Sequence, residues 1–137
     1  MNNTALIADA VPNMPWEPKP ANCHEVVWRH STNPVIDLHP MPNARSVFNS
    51  CVIPWEDGFL GVFRVDSLSM DPNLHLGKSP DGINWNIEEE PIHFMCDEPA
   101  LGKITIAYDP RLCKIEDKYY ITWCNSYYGA TIGQAWT

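Results

Sequence analysis

An all-β fold is what this chain predicts, and three observations carry the prediction. No segment spaces its apolar residues near 3.6, as a helix would. Apolar and aromatic residues fall instead in short runs bounded by Gly, Pro, Asn and Asp. A segment around Asn49 also recurs around Asp109: Asn49 precedes Glu56-Asp57 as Asp109 precedes Glu116-Asp117, 60 residues apart. In that register Phe48 pairs with Tyr108, Val52 with Leu112, Phe59 with Tyr119, and Phe63 with Trp123. A unit of this length built from short β segments suits one blade of a β-propeller better than a helical repeat. Asn49 and Asp109 then hold the same place in neighbouring blades, both facing the central channel.

Residues 1–22 read as an arm, because Pro12, Pro15, Pro18 and Pro20 interrupt any regular element, with Trp16 as its anchor. Glu25-Val26-Val27-Trp28-Arg29 is a brief strand candidate, followed by a loop carrying Pro40 and Pro42. From Ser46 to Asp66 the pattern is a hairpin turning at Pro54-Trp55-Glu56-Asp57-Gly58, with Asp-Gly as the turn signal. Leu74 to Ser79 is a third strand. In Ser79-Pro80-Asp81-Gly82-Ile83-Asn84-Trp85, Asp caps the turn amides, Gly takes the positive φ and Trp packs beneath. Residues 87–102 are acidic, contain Pro91 and Pro99, and read as an inter-blade loop. Strand rhythm returns over Lys103 to Asp109, Leu112 to Ile115 and Tyr119 to Cys124, and Gln134 to Thr137 lie within a further strand. A closed propeller needs at least about four blades. The expected organisation is therefore an arm at 1–22 and a partial propeller at 23–137, about two blades, truncated at the C-terminus.

The formal net charge of −8 argues against nucleic acid, which needs a basic face to neutralise phosphates. The first sixteen residues lack both a basic n-region and an apolar run long enough for a signal peptide or a membrane span, so a cytoplasmic protein is expected. The five cysteines form no C-x-x-C pair and mostly lie in or beside apolar segments, where a thiol acts as a small buried hydrophobe. No metal site is expected. Cys23-His24 with His30 has no second ligand pair at finger-like spacing.

Chemistry concentrates at Asp109. Flanked by Tyr108 and Pro110 at the end of an apolar strand, its carboxyl is poorly hydrated on one side, which favours the protonated form and suits a general acid. Capping a turn through Asp-Pro geometry fits the same position. Arg64 fits either a sheet-edge charge or a ligand contact. Arg111, two residues after Asp109, shares its face in an extended strand and would either depress its pKa or bind an anion. Tyr108, Tyr127 and Tyr128 suit stacking on sugar rings, and core packing suits most of the other aromatics.

Five runs in order make a more specific pattern: Asn43-Ala44-Arg45-Ser46-Val47-Phe48-Asn49-Ser50, Gly61-Val62-Phe63-Arg64-Val65-Asp66, Ser79-Pro80-Asp81-Gly82-Ile83-Asn84-Trp85, Tyr108-Asp109-Pro110-Arg111 and Ile115 to Asn125. From about Cys23 onward the chain resembles glycoside hydrolase family 130, which includes β-1,4-mannosyl-glucose and β-1,4-mannooligosaccharide phosphorylases. The resemblance implies a five-bladed β-propeller that cleaves a β-mannoside with inversion. Phosphate attacks the anomeric carbon and α-mannose 1-phosphate leaves. It also implies Asp109 as the general acid, acting through the mannose 3-hydroxyl. Asn49, Ser50 and Arg64 match residues holding the mannosyl unit and the region where phosphate arrives, and Tyr108 matches a sugar contact. No cofactor is implied beyond inorganic phosphate as co-substrate, and a homo-oligomer is expected at full length. The chain departs from the family pattern at Tyr128-Gly129-Ala130, where His-Gly-Pro is expected, and at Met70-Asp71-Pro72. The family's main phosphate-binding Arg, Lys and His positions fall after Thr137, so this chain by itself is expected to be inactive. Hydrolysis by water, or non-catalytic carbohydrate binding, are the alternatives.

Overall fold

The computed structural model describes residues 13–98, 106–126 and 129–137. Seven strands occur among them: β1 (Ala44–Trp55), β2 (Gly58–Ser67), β3 (Pro72–Ser79), β4 (Asn86–Pro91), β5 (Tyr108–Ile115), β6 (Lys118–Asn125) and β7 (Thr131–Trp136). They form two antiparallel meanders, a four-stranded sheet β1-β2-β3-β4 and a three-stranded sheet β5-β6-β7. No helix occurs among the described residues, and so none long and apolar enough to cross a membrane.

The 60-residue repeat is written into the backbone. β1 meets β2 through a two-residue turn, Glu56-Asp57, and β5 meets β6 through Glu116-Asp117. Glu56 and Glu116 have φ of 50° and 57°, the left-handed region that tight hairpin turns demand. Asp-Gly is not the turn itself, because Gly58 already pairs with Trp55 as the first residue of β2. Glycine is required there for another reason: a Cβ would run into the carbonyl oxygen of Ser79.

Two bulges also correspond. Asn49 and Ser50 together oppose Phe63, and Asp109 and Pro110 together oppose Trp123. A bulge adds one residue to one strand and re-aims its side chain, and in the G1 type its first residue takes the left-handed conformation. Asn49 and Asp109 do so, with φ of 31° and 53°. Their short polar side chains tolerate that region where a branched residue would not. Pro110 is accommodated because a bulge position has no ladder hydrogen bond to donate.

Alternation along β2 divides the core in two. Phe63 and Val65 point to one side and pack with Met41, Ala44 and Trp85. Val62 points to the other, joining Leu74, Ala107 and Trp123 in a cluster that ties the two sheets together. Arg64 shares the Val62 face by the same alternation. The Ser79–Trp85 turn forms as its sequence implies. Asp81 Oδ1 accepts from the backbone N–H groups of Asn84 and Ile83 at 2.7 and 2.9 Å, Gly82 has φ of 75°, and Trp85 packs edge-on against Phe63. Backbone donors to a carboxylate hold the Asp81 pKa down to about 2, Asn84 contributing most.

Several expectations are corrected. The acidic stretch at 87–91 is not a loop: it pairs with β3 as β4, at the outer edge of its sheet. Glu88, Glu89 and Glu90 place charge on that edge, a device by which edge strands avoid pairing with other chains. Residues 25–29 form no strand, and Val26 and Val27 are exposed, without a neighbouring strand to satisfy their backbone. Leu112 to Ile115 is not separate from Tyr108-Asp109, because the bulge bends one continuous strand. Cys96 and Cys113 are exposed, and the other three cysteines are half-buried, so none is a fully buried hydrophobe. Residues 103–105, 127 and 128, on which a strand start and two aromatic contacts were placed, lie outside the described residues, as do residues 1–12 of the arm.

Candidate active site

The two bulges face each other where β1 approaches β5. Asn49 Nδ2 donates to Asp109 Oδ1 at 2.8 Å, joining the residues that the repeat set in correspondence. Arg64 Nη1 donates to the same oxygen at 3.1 Å. Asp109 Oδ2 has no hydrogen-bond partner among the described residues, and the side chain is about one-third exposed at 32%. A carboxyl group with one oxygen occupied by two donors carries any proton on the other. Oδ2 is thus the oxygen available to a ligand.

Two donors on Oδ1 favour the ionised form of Asp109, against the expectation from its apolar neighbours. The Asn49 amide holds its pKa below the ordinary carboxylate range; burial opposes this, and Arg64 adds to it. Arg111 contributes least: it is exposed, and its Nη1 donates to the Pro110 carbonyl oxygen at 2.7 Å. The positive φ at Asp109 breaks the extended run that would have set the two side chains on one face.

Arg64 is not a sheet-edge charge, since β2 is an inner strand. Its guanidinium lies 5.2 Å from the Phe48 ring centroid and 5.4 Å from that of Tyr108, one ring from each sheet. Its Nε and Nη2 donate to Asp66 Oδ1 and Oδ2 at 2.9 and 3.3 Å. These bonds, those to Asp66 first, raise the Arg64 pKa further and keep it cationic. Ser50 is exposed beside Asn49 and its Oγ donates to the Phe48 carbonyl oxygen at 3.2 Å. Asn49, Arg64, Tyr108 and Asp109 thus meet at one seam, with Ser50 on its rim. Asp66 and Phe48 join them without having been singled out for a role. The Arg64-x-Asp66 spacing, which places both on one strand face, was the available signal for Asp66. Among the described residues no group of three or more His, Cys, Asp or Glu side chains is disposed to hold a metal ion.

Taken together, a solvent-accessible carboxyl, a cation and two aromatic rings at a seam between antiparallel sheets define a site suited to a polar ligand with apolar faces. Comparison with known proteins identifies the family. Residues 9–137 match glycoside hydrolase family 130, described as β-1,4-mannooligosaccharide phosphorylase. The chain is 44% identical over 135 residues to a β-1,4-mannooligosaccharide phosphorylase of Ruminococcus albus, covering 93% of this chain and 40% of that protein. Among solved structures, a putative glycoside hydrolase from Bacteroides ovatus superposes with a TM-score of 0.64 at 17% identity, over 80% of this chain and 36% of that one. Another, described as belonging to a family of mannoside phosphorylases that contains glycoside hydrolases targeting β-1,2-mannosidic linkages in Candida mannan, gives 0.59 at 19% identity, over 80% and 39%. The chain belongs to glycoside hydrolase family 130. It spans about two-fifths of the length of the curated relative it matches.

Proposed function

We propose that the full-length protein is an inverting phosphorylase of β-1,4-mannosides, and that this chain supplies its acid catalyst. The pairing of Asn49 and Arg64 on Asp109 Oδ1, with Oδ2 unpartnered among the described residues, is the observation that carries this reading. The Oδ2 proton passes through the mannose 3-hydroxyl to the glycosidic oxygen as the C1–O bond breaks. Hydrogen phosphate attacks C1 from the opposite face and gives α-mannose 1-phosphate. The proton that hydrogen phosphate gives up restores Asp109, so the protons balance. An inverting hydrolase needs a second carboxylate to activate water. Phosphate is already an anion and needs only cations to hold it, a task to which Arg64 contributes. Its arrival also addresses the ionised state of Asp109. An anion beside a carboxylate raises the carboxyl pKa, and one that draws on Arg64 weakens a contact that lowers it.

Asn49 holds the acid as well as meeting sugar, Ser50 and Tyr108 contact the mannosyl unit, and no metal or organic cofactor takes part. The two sheets are the first two blades of a five-bladed propeller at 23–137, with 1–22 as an arm. The protein acts in the cytoplasm as a homo-oligomer, away from membranes and nucleic acid, and the isolated chain is inactive.

The test is release of mannose 1-phosphate from β-1,4-mannobiose by the full-length protein. Turnover should require phosphate and should persist in a chelator. Equal cleavage in phosphate-free buffer would establish the second reading, hydrolysis, which the β-1,2-mannosidic hydrolases within this family favour. Mannobiose binding without cleavage, undisturbed in Asp109→Ala, would make the protein a carbohydrate-binding module.

A further inference from the structure

Asp66 has no part in the proposed reaction, yet it grips the guanidinium on which that reaction draws. Its two oxygens take Nε and Nη2 of Arg64, and a bidentate pairing of this kind fixes the rotation of the planar fork. The side chains of Arg64 and Asp66 are only 22% and 16% exposed, so the pair is not a loose surface contact. The rings of Phe48 and Tyr108 line the slot in which the guanidinium lies, and Asp66 sets its rotation there. Of the five N–H donors of an arginine, two are engaged by Asp66 and one by Asp109.

The geometry points to Asp66 as a positioning residue for Asp109: by holding the Nε/Nη2 edge of Arg64 it delivers Nη1 to Asp109 Oδ1 and reserves Oδ2 for the ligand. Only the description of Asp109 as the acid rests on the proposed function.

Two effects of opposite sign separate positioning from simple charge. Removing the Asp66 charge takes away a negative neighbour, which lowers the Asp109 midpoint. Releasing Arg64 removes a donor from Oδ1, which raises it. Among the described residues the charged groups that act on Asp109 are Arg64 of β2 and Arg111 of β5; Asp66 of β2 pairs with Arg64, and Asn49 and Ser50 of β1 are neutral.

The experiment is a carboxyl 13C NMR titration of Asp109 in the full-length protein and its variants. Asp66→Ala should move the midpoint up, and Asp66→Asn should move it up by less. In an Arg64→Leu background, Asp66→Asn should no longer raise it. A midpoint that falls or stays put in the single variants overturns the proposal. Asp66→Asn, nearly the same shape as Asp66, keeps the test decisive should the alanine variant fail to fold. Failure to form mannose 1-phosphate would remove the phosphorylase reading and leave this result standing; an unmoved titration would do the reverse.

Discussion

The first sheet presents an amide at its bulge and the second presents a carboxyl, on backbones that otherwise repeat. Turn, bulge, left-handed residue and the aromatic opposite it all correspond at 60 residues' separation, in Asn49 with Phe63 and in Asp109 with Trp123. The same backbone device thus carries a pair with unlike chemistry. The amide can donate to the carboxyl, whereas a second carboxyl in its place would repel it. The backbone sets where the two groups meet, and the side chains decide what they do.

The aromatic anchors offer the largest effect with which to break the correspondence. Phe63→Ala and Trp123→Ala should each cost about 3–5 kcal/mol of stability, measured by urea unfolding, because both rings are buried and leave cavities. Their consequences at the seam should differ. Trp123 packs in the cluster that ties the sheets together, so its loss should shift the NMR signals of Asn49 and Asp109, while Phe63→Ala should disturb them little. Equal disturbance would mean that the two cores are not separate.

Gly133→Ala comes next, at about 1–3 kcal/mol, since overpacking forces neighbours to shift. An added Cβ would strike the Trp123 indole, which covers Gly133 much as the Phe63 ring covers Gly77. An unchanged urea midpoint would show that the indole moves aside freely.

The amide itself is the subtler lever. The folded-state pKa of Asp109 is depressed, chiefly by Asn49, so its contribution to stability is complete above the ordinary aspartate value of about 4 and is lost as pH falls through the lower folded value. Asn49→Ala should move the Asp109 midpoint up. The deficit of this variant in urea midpoint, present near about pH 6, should shrink as pH falls below about 4. Asn49→Asp should raise one midpoint of the resulting pair further, since adjacent carboxylates cannot both ionise freely. A deficit that does not change with pH would remove the amide from control of the carboxyl. Asp81, held at about 2 by the Asn84 and Ile83 amides, offers a pH lever away from the seam: Asp81→Asn should lower stability near neutrality and have little effect near pH 2.

Much of this comparison could be read in the sequence, because the signals were local. Glu-Asp turns and the spacing of aromatics revealed the repeat, and the repeat paired Asn49 with Asp109 before any contact was visible. β4 could not be read this way. An edge strand spends charge on its exposed rim, and Glu88-Glu89-Glu90 resembles a loop until a neighbouring strand is present. Val26-Val27 misled in the opposite sense, since β-branched residues form a strand only when a partner satisfies their backbone. The ionised state of Asp109 was hidden for a third reason. Tyr108 and Pro110 are sequence neighbours that suggest a dry carboxyl, whereas Asn49 and Arg64, which charge it, arrive from other strands.

Proton donation by Asp109 is the claim on which the proposed function stands, and leaving-group dependence tests it directly. In the full-length protein, Asp109→Asn should lose roughly 10²- to 10⁴-fold in phosphorolysis of β-1,4-mannobiose, the usual worth of general acid catalysis. It should lose far less with 4-nitrophenyl β-mannoside, whose phenolate departs without a proton. Comparable losses on both substrates would contradict the account.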